Sequence, residues 1–229
     1  MITILQIETS TRFCSVAIAQ DGNTIALKEA SGLNLHAGSL TLFIEEVMHQ
    51  ANLTYQDLDA IAVSKGPGSY TGLRIGVSTA KGLCYALDKP LLGVDTLNMM
   101  AAGFLQANTD YKELVCPMID ARRLEVYTAL YSPLGDEIEP VSAKIIDEHS
   151  FEPALRAAKI TFIGDGAAKC RDLIQNPNAT FLEDNFNTAS NMSAHAHQQF
   201  LAAKFEDVAY FEPFYLKDFM ITESKKKAF

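Results

Sequence analysis

Apolar residues dominate Ile2-Thr3-Ile4-Leu5-Gln6-Ile7-Glu8 and Ser15-Val16-Ala17-Ile18-Ala19, and a polar stretch from Thr9 to Arg12 separates the two runs. Runs of this composition predict β-strands, and Asp21-Gly22 supplies a hairpin turn into a third run from Thr24 to Glu29. Three consecutive antiparallel strands follow. The period then changes: helical spacing is predicted over about 36–51 and about 71–87, with the short strand Ala60-Ile61-Ala62-Val63 between them and another at 91–94. Strands that alternate with helices add a parallel portion to the hairpin sheet, so the fold class is mixed α/β.

After about residue 108 a similar theme returns. Leu114 to Ile119, Leu124 to Tyr131, Lys144-Ile145-Ile146 and Ile160-Thr161-Phe162-Ile163 read as strands, with helices near 150–158, 167–174 and 189–204. The polar segment between Ala102 and Lys112, containing Asn108-Thr109-Asp110, is the best boundary. The chain therefore divides into an N-terminal lobe, 1–107, and a C-terminal lobe, 108–229. Both halves open with β-runs around a turn, but no residue-level repeat is visible.

At about 100° per residue, the helix over 71–87 carries Leu73, Val77, Ala80, Cys84 and Leu87 on one side. Gly72, Ile75, Thr79, Gly82 and Ala86 lie on roughly the other, and only Arg74, Ser78, Lys81, Tyr85 and Asp88 form a polar strip. Gly72, Gly76, Ala80 and Cys84 also make a small-residue stripe that lets a neighbouring backbone come close. Such a helix is covered on two sides, by the rest of the chain or by a second protein. In the helix before it, Leu40, Phe43, Ile44, Val47 and Ala51 form the core stripe, Leu42 falls on the opposite face beside Glu45 and His49, and Thr41 and Met48 widen the apolar arc.

Charge narrows the function classes. With 19 basic against 28 acidic side chains the net charge is −9, which repels phosphates, so the chain alone is a poor nucleic-acid binder. Cys14, Cys84, Cys116 and Cys170 are scattered, with no CxxC, and read as reduced thiols of a cytoplasmic protein. No apolar run reaches the ~18 residues of a membrane span, and Met1-Ile2-Thr3-Ile4-Leu5 lacks the basic start of a signal peptide.

Candidate chemistry is sparse. Ser64-Lys65-Gly66-Pro67-Gly68-Ser69-Tyr70-Thr71-Gly72 lies between a strand and a helix, where backbone N–H groups suit an anion, yet it matches neither the P-loop nor the dinucleotide fingerprint. It reads as a structural turn or a ligand contact. His195 and His197 point about 200° apart on a helix and do not share a metal easily. There is no HExxH and no GxSxG. Asp120-Ala121-Arg122-Arg123-Leu124-Glu125 packs acids and arginines at a strand–turn–strand junction, where mutual pairing and substrate contact are the two readings. Ile163-Gly164-Asp165-Gly166-Ala167 is another turn able to face an anion, and Lys225-Lys226-Lys227 reads as a solvated tail within reach of RNA phosphate.

Four blocks together resemble the TsaB (YeaZ) family: Ile4-Leu5-Gln6-Ile7-Glu8-Thr9-Ser10, the run from Lys65 to Gly76 that contains GPGSYTGLRIG, Asp120-Ala121-Arg122-Arg123 with Glu125-Val126-Tyr127, and Pro213-Phe214-Tyr215-Leu216-Lys217. The resemblance implies a two-lobed, actin-like ATPase (ribonuclease H-like) fold. It makes Thr9 and Ser10 the counterpart of a first phosphate loop, and Gly164 and Gly166 that of a nucleotide-side glycine turn. Glu8 stands where many members carry Asp, with no glycine after it.

The implied function is the making of threonylcarbamoyladenosine on the tRNA base beside the anticodon. A TsaD-type subunit holds a metal through His-x-x-x-His and transfers the threonylcarbamoyl group; here Asp95-Thr96-Leu97-Asn98-Met99-Met100 has no histidine in that region. The resemblance thus implies a non-catalytic scaffold without metal or cofactor of its own, leaving room for a nucleotide at the interface of the complex. Its implied partners are the TsaD-type transferase, a TsaE-type ATPase and a second copy in isolation, with tRNA reached only through the complex and no membrane contact. The implied partner face comprises Thr41, Leu42, Glu45 and Met48 on the first helix and Gly72, Ile75, Gly76, Thr79, Gly82 and Ala86 on the second. The rival readings are a small-molecule kinase of the same superfamily and an M22-type, glycoprotease-like metallopeptidase.

Overall fold

The computed structural model describes residues 1–32, 35–184 and 186–217; the lysine run at 225–227 lies outside them. The first sheet contains β1 (Thr3–Glu8), β2 (Phe13–Gln20), β3 (Asn23–Ser31), β4 (Ala60–Gly66) and β5 (Leu91–Asp95), in the order β3-β2-β1-β4-β5. β1 and β2 pair antiparallel, as do β2 and β3, while β4 lies parallel to β1 and β5 parallel to β4. Every residue of β1 is buried, which is why both alternating sets are used. Leu5 and Ile7 join the core beneath α1 (Leu35–Gln50) and α2 (Tyr70–Leu87), and Ile4 joins the core on the opposite face. A fully buried Leu or Ile of this kind contributes about 1.5–3 kcal/mol.

That opposite face is covered by α3 (Thr96–Ala107), whose Leu97, Met99, Met100, Ala101 and Phe104 are all buried. The proposed boundary at 102–112 overlaps its last turns. A helix apolar around most of its circumference has no polar face to announce it, so periodicity passed over it.

The second sheet repeats the first. β6 (Leu114–Asp120), β7 (Glu125–Tyr131), β8 (Glu137–Ile145), β9 (Ile160–Ile163) and β10 (Ala179–Leu182) run in the order β8-β7-β6-β9-β10. Antiparallel pairs again start from a central strand, and two parallel strands again complete it. The fold is therefore mixed α/β with two sheets of one topology. Several helices differ from expectation. α4 is short, Glu152–Ala157, and the helix expected at 167–174 is only a 3-10 turn, Ala168–Cys170, after which single-turn bonds carry Leu173 and Ile174 into the core. The helix expected at 189–204 begins with a 3-10 turn, Ala189–Met192, and continues as α5 (Ser193–Leu201).

After α5 a strap, 204–217, returns across the first sheet. Glu206 N–H donates to the Leu91 carbonyl at 2.9 Å, Phe211 is buried beside Gly93, and Lys81 Nζ donates to the carbonyls of Ala209 and Phe211 at 3.1 and 3.0 Å. Further on, Phe214 N–H donates to the Lys65 carbonyl at 2.6 Å, Tyr215 packs on Tyr70 with ring centroids 5.0 Å apart, and Lys217 pairs with Glu125 of β7. The strap thereby touches both halves of the molecule.

Candidate partner face and interlobe cleft

The turn between β1 and β2 is closed by the chain itself. Glu8, Thr9 and Ser10 are fully buried. Ser69 caps α2 by accepting from Gly72 N–H at 3.3 Å, and its own N–H donates to the Ser10 carbonyl at 2.6 Å. A Cβ on Gly68 would run into Ser10, and one on Gly72 or Gly76 would run into Thr9. Close backbone approach is therefore what these three glycines provide. Thr9 and Ser10, expected as phosphate contacts, are instead sealed beneath α2, with Ser10 Oγ accepting from Asn187 Nδ2 at 3.2 Å.

Under this lid Glu8 Oε1 accepts from Ser10 N–H at 2.5 Å, while Oε2 has no partner among the described residues. Burial pushes the Glu8 carboxyl above the usual range, against the Ser10 and Ser64 hydrogen bonds that favour its anion. The segment 187–193 packs over the same region from the second half. Ala189 N–H donates to Ser15 Oγ at 2.9 Å, Thr188 Oγ1 to Glu29 at 2.7 Å, and Ser193 Oγ to Gln6 Oε1 at 3.0 Å.

Beside this seam lies a cleft of about 370 Å³ lined by Thr11, Arg12, Phe13, Asp120, Gly164, Asp165, Ala168, Glu183, Asp184 and Asn187. Four carboxylates and the Arg12 guanidinium line it, and Lys169 pairs with Asp120 and Arg171 with Glu183, so no surplus of positive charge is offered to a phosphate-rich ligand. Partial desolvation holds the Asp165 carboxyl above its ordinary value, although it accepts from Asp120 N–H. Of the two glycines expected at a nucleotide, Gly164 lines the cleft in a positive-φ conformation, whereas Gly166 packs against Met118 and Ile119. Asp165 lies in the turn expected to face an anion, whereas Arg12 and Asn187 were not singled out as cleft residues, and only the position of Arg12 at the end of the first turn hinted at it.

Asp120 does not pair with the neighbouring arginines. It pairs with Lys169, and Glu125 pairs with Lys217. His197 packs against Gly22, and burial lowers the pKa of His195. Among the described residues no group of three or more His, Cys, Asp or Glu side chains is placed to share a metal ion. The thiols are deeply held: burial pushes Cys84 and Cys116 up to about 12.

The exposed side of α1 and α2 is of another character. Thr41, Leu42 and Glu45 are exposed on α1, with Leu42 at 54%, and a shallow groove is lined by Leu42, Glu45, Glu46, His49 and Gln50. On α2, Gly82 and Ala86 are exposed and Ile75 and Thr79 half-buried. Three residues expected on this face are inside the molecule: Met48 belongs to the core beneath α1, and Gly72 and Gly76 are covered by Thr9. The small-residue stripe Gly72, Gly76, Ala80 and Cys84 is thus buried throughout, its first half accepting the chain's own turn and its second half lying in the core, while the exposed small residues Gly82 and Ala86 lie outside it. No helix of the described residues is long and apolar enough to cross a membrane.

Comparison with known proteins gives a consistent answer. The family described as TsaD, tRNA N6-adenosine threonylcarbamoyltransferase, matches residues 30–224. The chain is 32% identical over 224 residues to the tRNA threonylcarbamoyladenosine biosynthesis protein TsaB of Escherichia coli (strain K12), covering 94% of each chain. It is 36% identical over 140 residues to the protein of the same description in Bacillus subtilis (strain 168), an alignment spanning 61% of this chain and 59% of that one. Among solved structures, YeaZ from Pseudomonas aeruginosa superposes with a TM-score of 0.80 at 28% identity, over 94% of this chain and 100% of that chain.

Proposed function

The chain belongs to the TsaB (YeaZ) family within the wider TsaD family and has a role in making threonylcarbamoyladenosine on tRNA; from that premise we propose that it serves there as a non-catalytic scaffold. It seats a TsaD-type transferase on the outer face of α1 and α2. The observation that carries this reading is that Leu42, Gly82 and Ala86 are exposed on the helix pair and Ile75 and Thr79 half-exposed, with Thr41 and Glu45 also exposed. Exposed apolar and small side chains of this kind suit a close helix contact. In isolation a second copy uses the same face, so self-association and transferase binding compete. A TsaE-type ATPase joins the assembly, tRNA is held through the complex, and the setting is cytoplasmic.

The interior supports a scaffold more than an enzyme. The acidic cleft disfavours the phosphates that a kinase needs, and the donor set for a metallopeptidase is not gathered at any described site. A nucleotide, if the complex holds one, meets this chain at the joint surface.

Ile75→Arg tests the reading. Ile75 is half-exposed, so the variant keeps its fold by circular dichroism and loses at least about 10-fold in affinity for the transferase by sedimentation, because a charge is then buried without a partner. Unchanged affinity together with an intact self-dimer sinks it. Reconstituted modification of tRNA is expected to require the chain, and the chain alone to show none.

A further inference from the structure

The turn between β6 and β7 carries two adjacent arginines in an unusual setting. Arg122 has φ 71° and Arg123 φ 53°, both in the left-handed region that side-chain-bearing residues seldom adopt. The turn is held by its backbone: Arg122 N–H donates to Asp120 Oδ1 at 2.7 Å, Glu125 N–H to the Arg122 carbonyl at 3.2 Å, and Ala121 N–H to the Glu125 carbonyl at 3.1 Å. Both side chains are exposed.

Neither guanidinium has a hydrogen bond, ion pair or ring contact among the described residues. The remaining described arginines are engaged: Arg74 with Tyr70, Arg156 with Glu152, Arg171 with Glu183, and Arg12 over the Phe13 ring. The carboxylates that adjoin the turn are already taken, Asp120 by Lys169 and Glu125 by Lys217. Two cations are thus presented together on a chain of net charge −9, in a conformation that costs backbone energy.

Paired guanidinium forks match phosphate oxygens in geometry and charge. Leu124 in the turn and Ile145 opposite Glu125 add exposed apolar surface at this corner, whereas the centre of a protein interface is typically depleted of charged residues. We propose that Arg122 and Arg123 contact the phosphate backbone of tRNA when the chain sits in its assembly, an inference that rests on the scaffold reading. The acidic remainder of the chain explains why this contact adds to binding rather than initiating it.

The test uses the assembled complex of this chain, the transferase and the ATPase, with tRNA affinity measured across a potassium chloride series. Asn tolerates left-handed backbone, so Arg122→Asn with Arg123→Asn removes both charges while keeping the turn. The expected result is about a 10-fold loss of affinity at low salt and a salt slope shallower by roughly 1.4–1.8, from about 0.7–0.9 per phosphate contact. Arg122→Lys with Arg123→Lys keeps most of the slope. Sedimentation of the Asn variant against the transferase is read in parallel and is expected to match the parent. Unchanged tRNA affinity and slope overturn the contact, and so does weakened transferase association with an unchanged slope, which would assign the arginines to an acidic protein surface. If the parent chain fails to join the assembly at all, the scaffold reading falls and this proposal with it.

Discussion

The two hairpin turns that follow the central strands, β1–β2 and β6–β7, occupy the same place in sheets of the same order, yet one is sealed and the other open. In the first half the loop after β4 carries Gly68 onto Ser10, and the first turn of an 18-residue helix brings Gly72 onto Thr9. In the second half the loop after β9 brings Gly166 only as far as Met118 and Ile119, and a single 3-10 turn follows. The first turn becomes core; the second keeps its arginines in solvent. Strand order places a turn, and the length and side-chain bulk of the covering loop decide whether it can meet a partner.

The strongest way to break this contrast is to force the lid off. Gly72→Ala drives a methyl group into the Thr9 carbonyl, and destabilisation of about 3 kcal/mol, roughly 6–12 °C in Tm, is expected. An unchanged melting curve would mean that the first turn is not closed.

A smaller effect comes from the carboxyl beneath the lid. In the unfolded chain Glu8 titrates near 4.5, and in the folded chain it keeps its proton to higher pH. The folded state therefore binds more protons above that value, and this group makes stability fall as pH rises from about 4.5 toward the folded pKa. Glu8→Gln removes the dependence, so its urea midpoint lies above the parent's at pH 7 and converges with it below pH 4.5. Parallel midpoint curves across that window would count against a sealed, protonated Glu8.

The open turn gives the smallest response. Asp120→Asn leaves Lys169 without its anion, but the carboxylate side chain is 47% exposed, so a loss under about 1 kcal/mol is expected in thermal melts. A larger loss would make the second turn as tightly held as the first.

Much of the first half was legible from its residues. β-rich apolar runs and the Asp21-Gly22 turn predicted the hairpin strands, and helical spacing predicted α1 and α2 to within a residue or so at each end. The same wheel placed Leu40, Val47, Leu73 and Val77 inside and Leu42 outside. It did not separate Gly72 and Gly76 from Gly82, because a glycine has no side chain whose polarity reports its surroundings; only the turn packed against it distinguishes them. α3 escaped for want of a polar face, and β10 because four residues at a sheet edge carry too little pattern. At the cleft, Asp120 at the end of β6 and Asp165 in the turn after β9 are 45 positions apart, a separation that local reading does not bridge.

The strap has a consequence for how the molecule comes apart. Its bridge to Leu91 covers the outer edge of β5, and Phe211 fills the space beside Gly93. A fragment ending at 107 would carry both an uncovered strand edge, which is a template for aggregation, and a vacancy in its core. Cooperativity therefore runs from the strap to β5 and α2 across more than a hundred intervening positions. A cut where the sequence changes theme would therefore strip β5 of its edge cover and Lys81 of its two carbonyl partners.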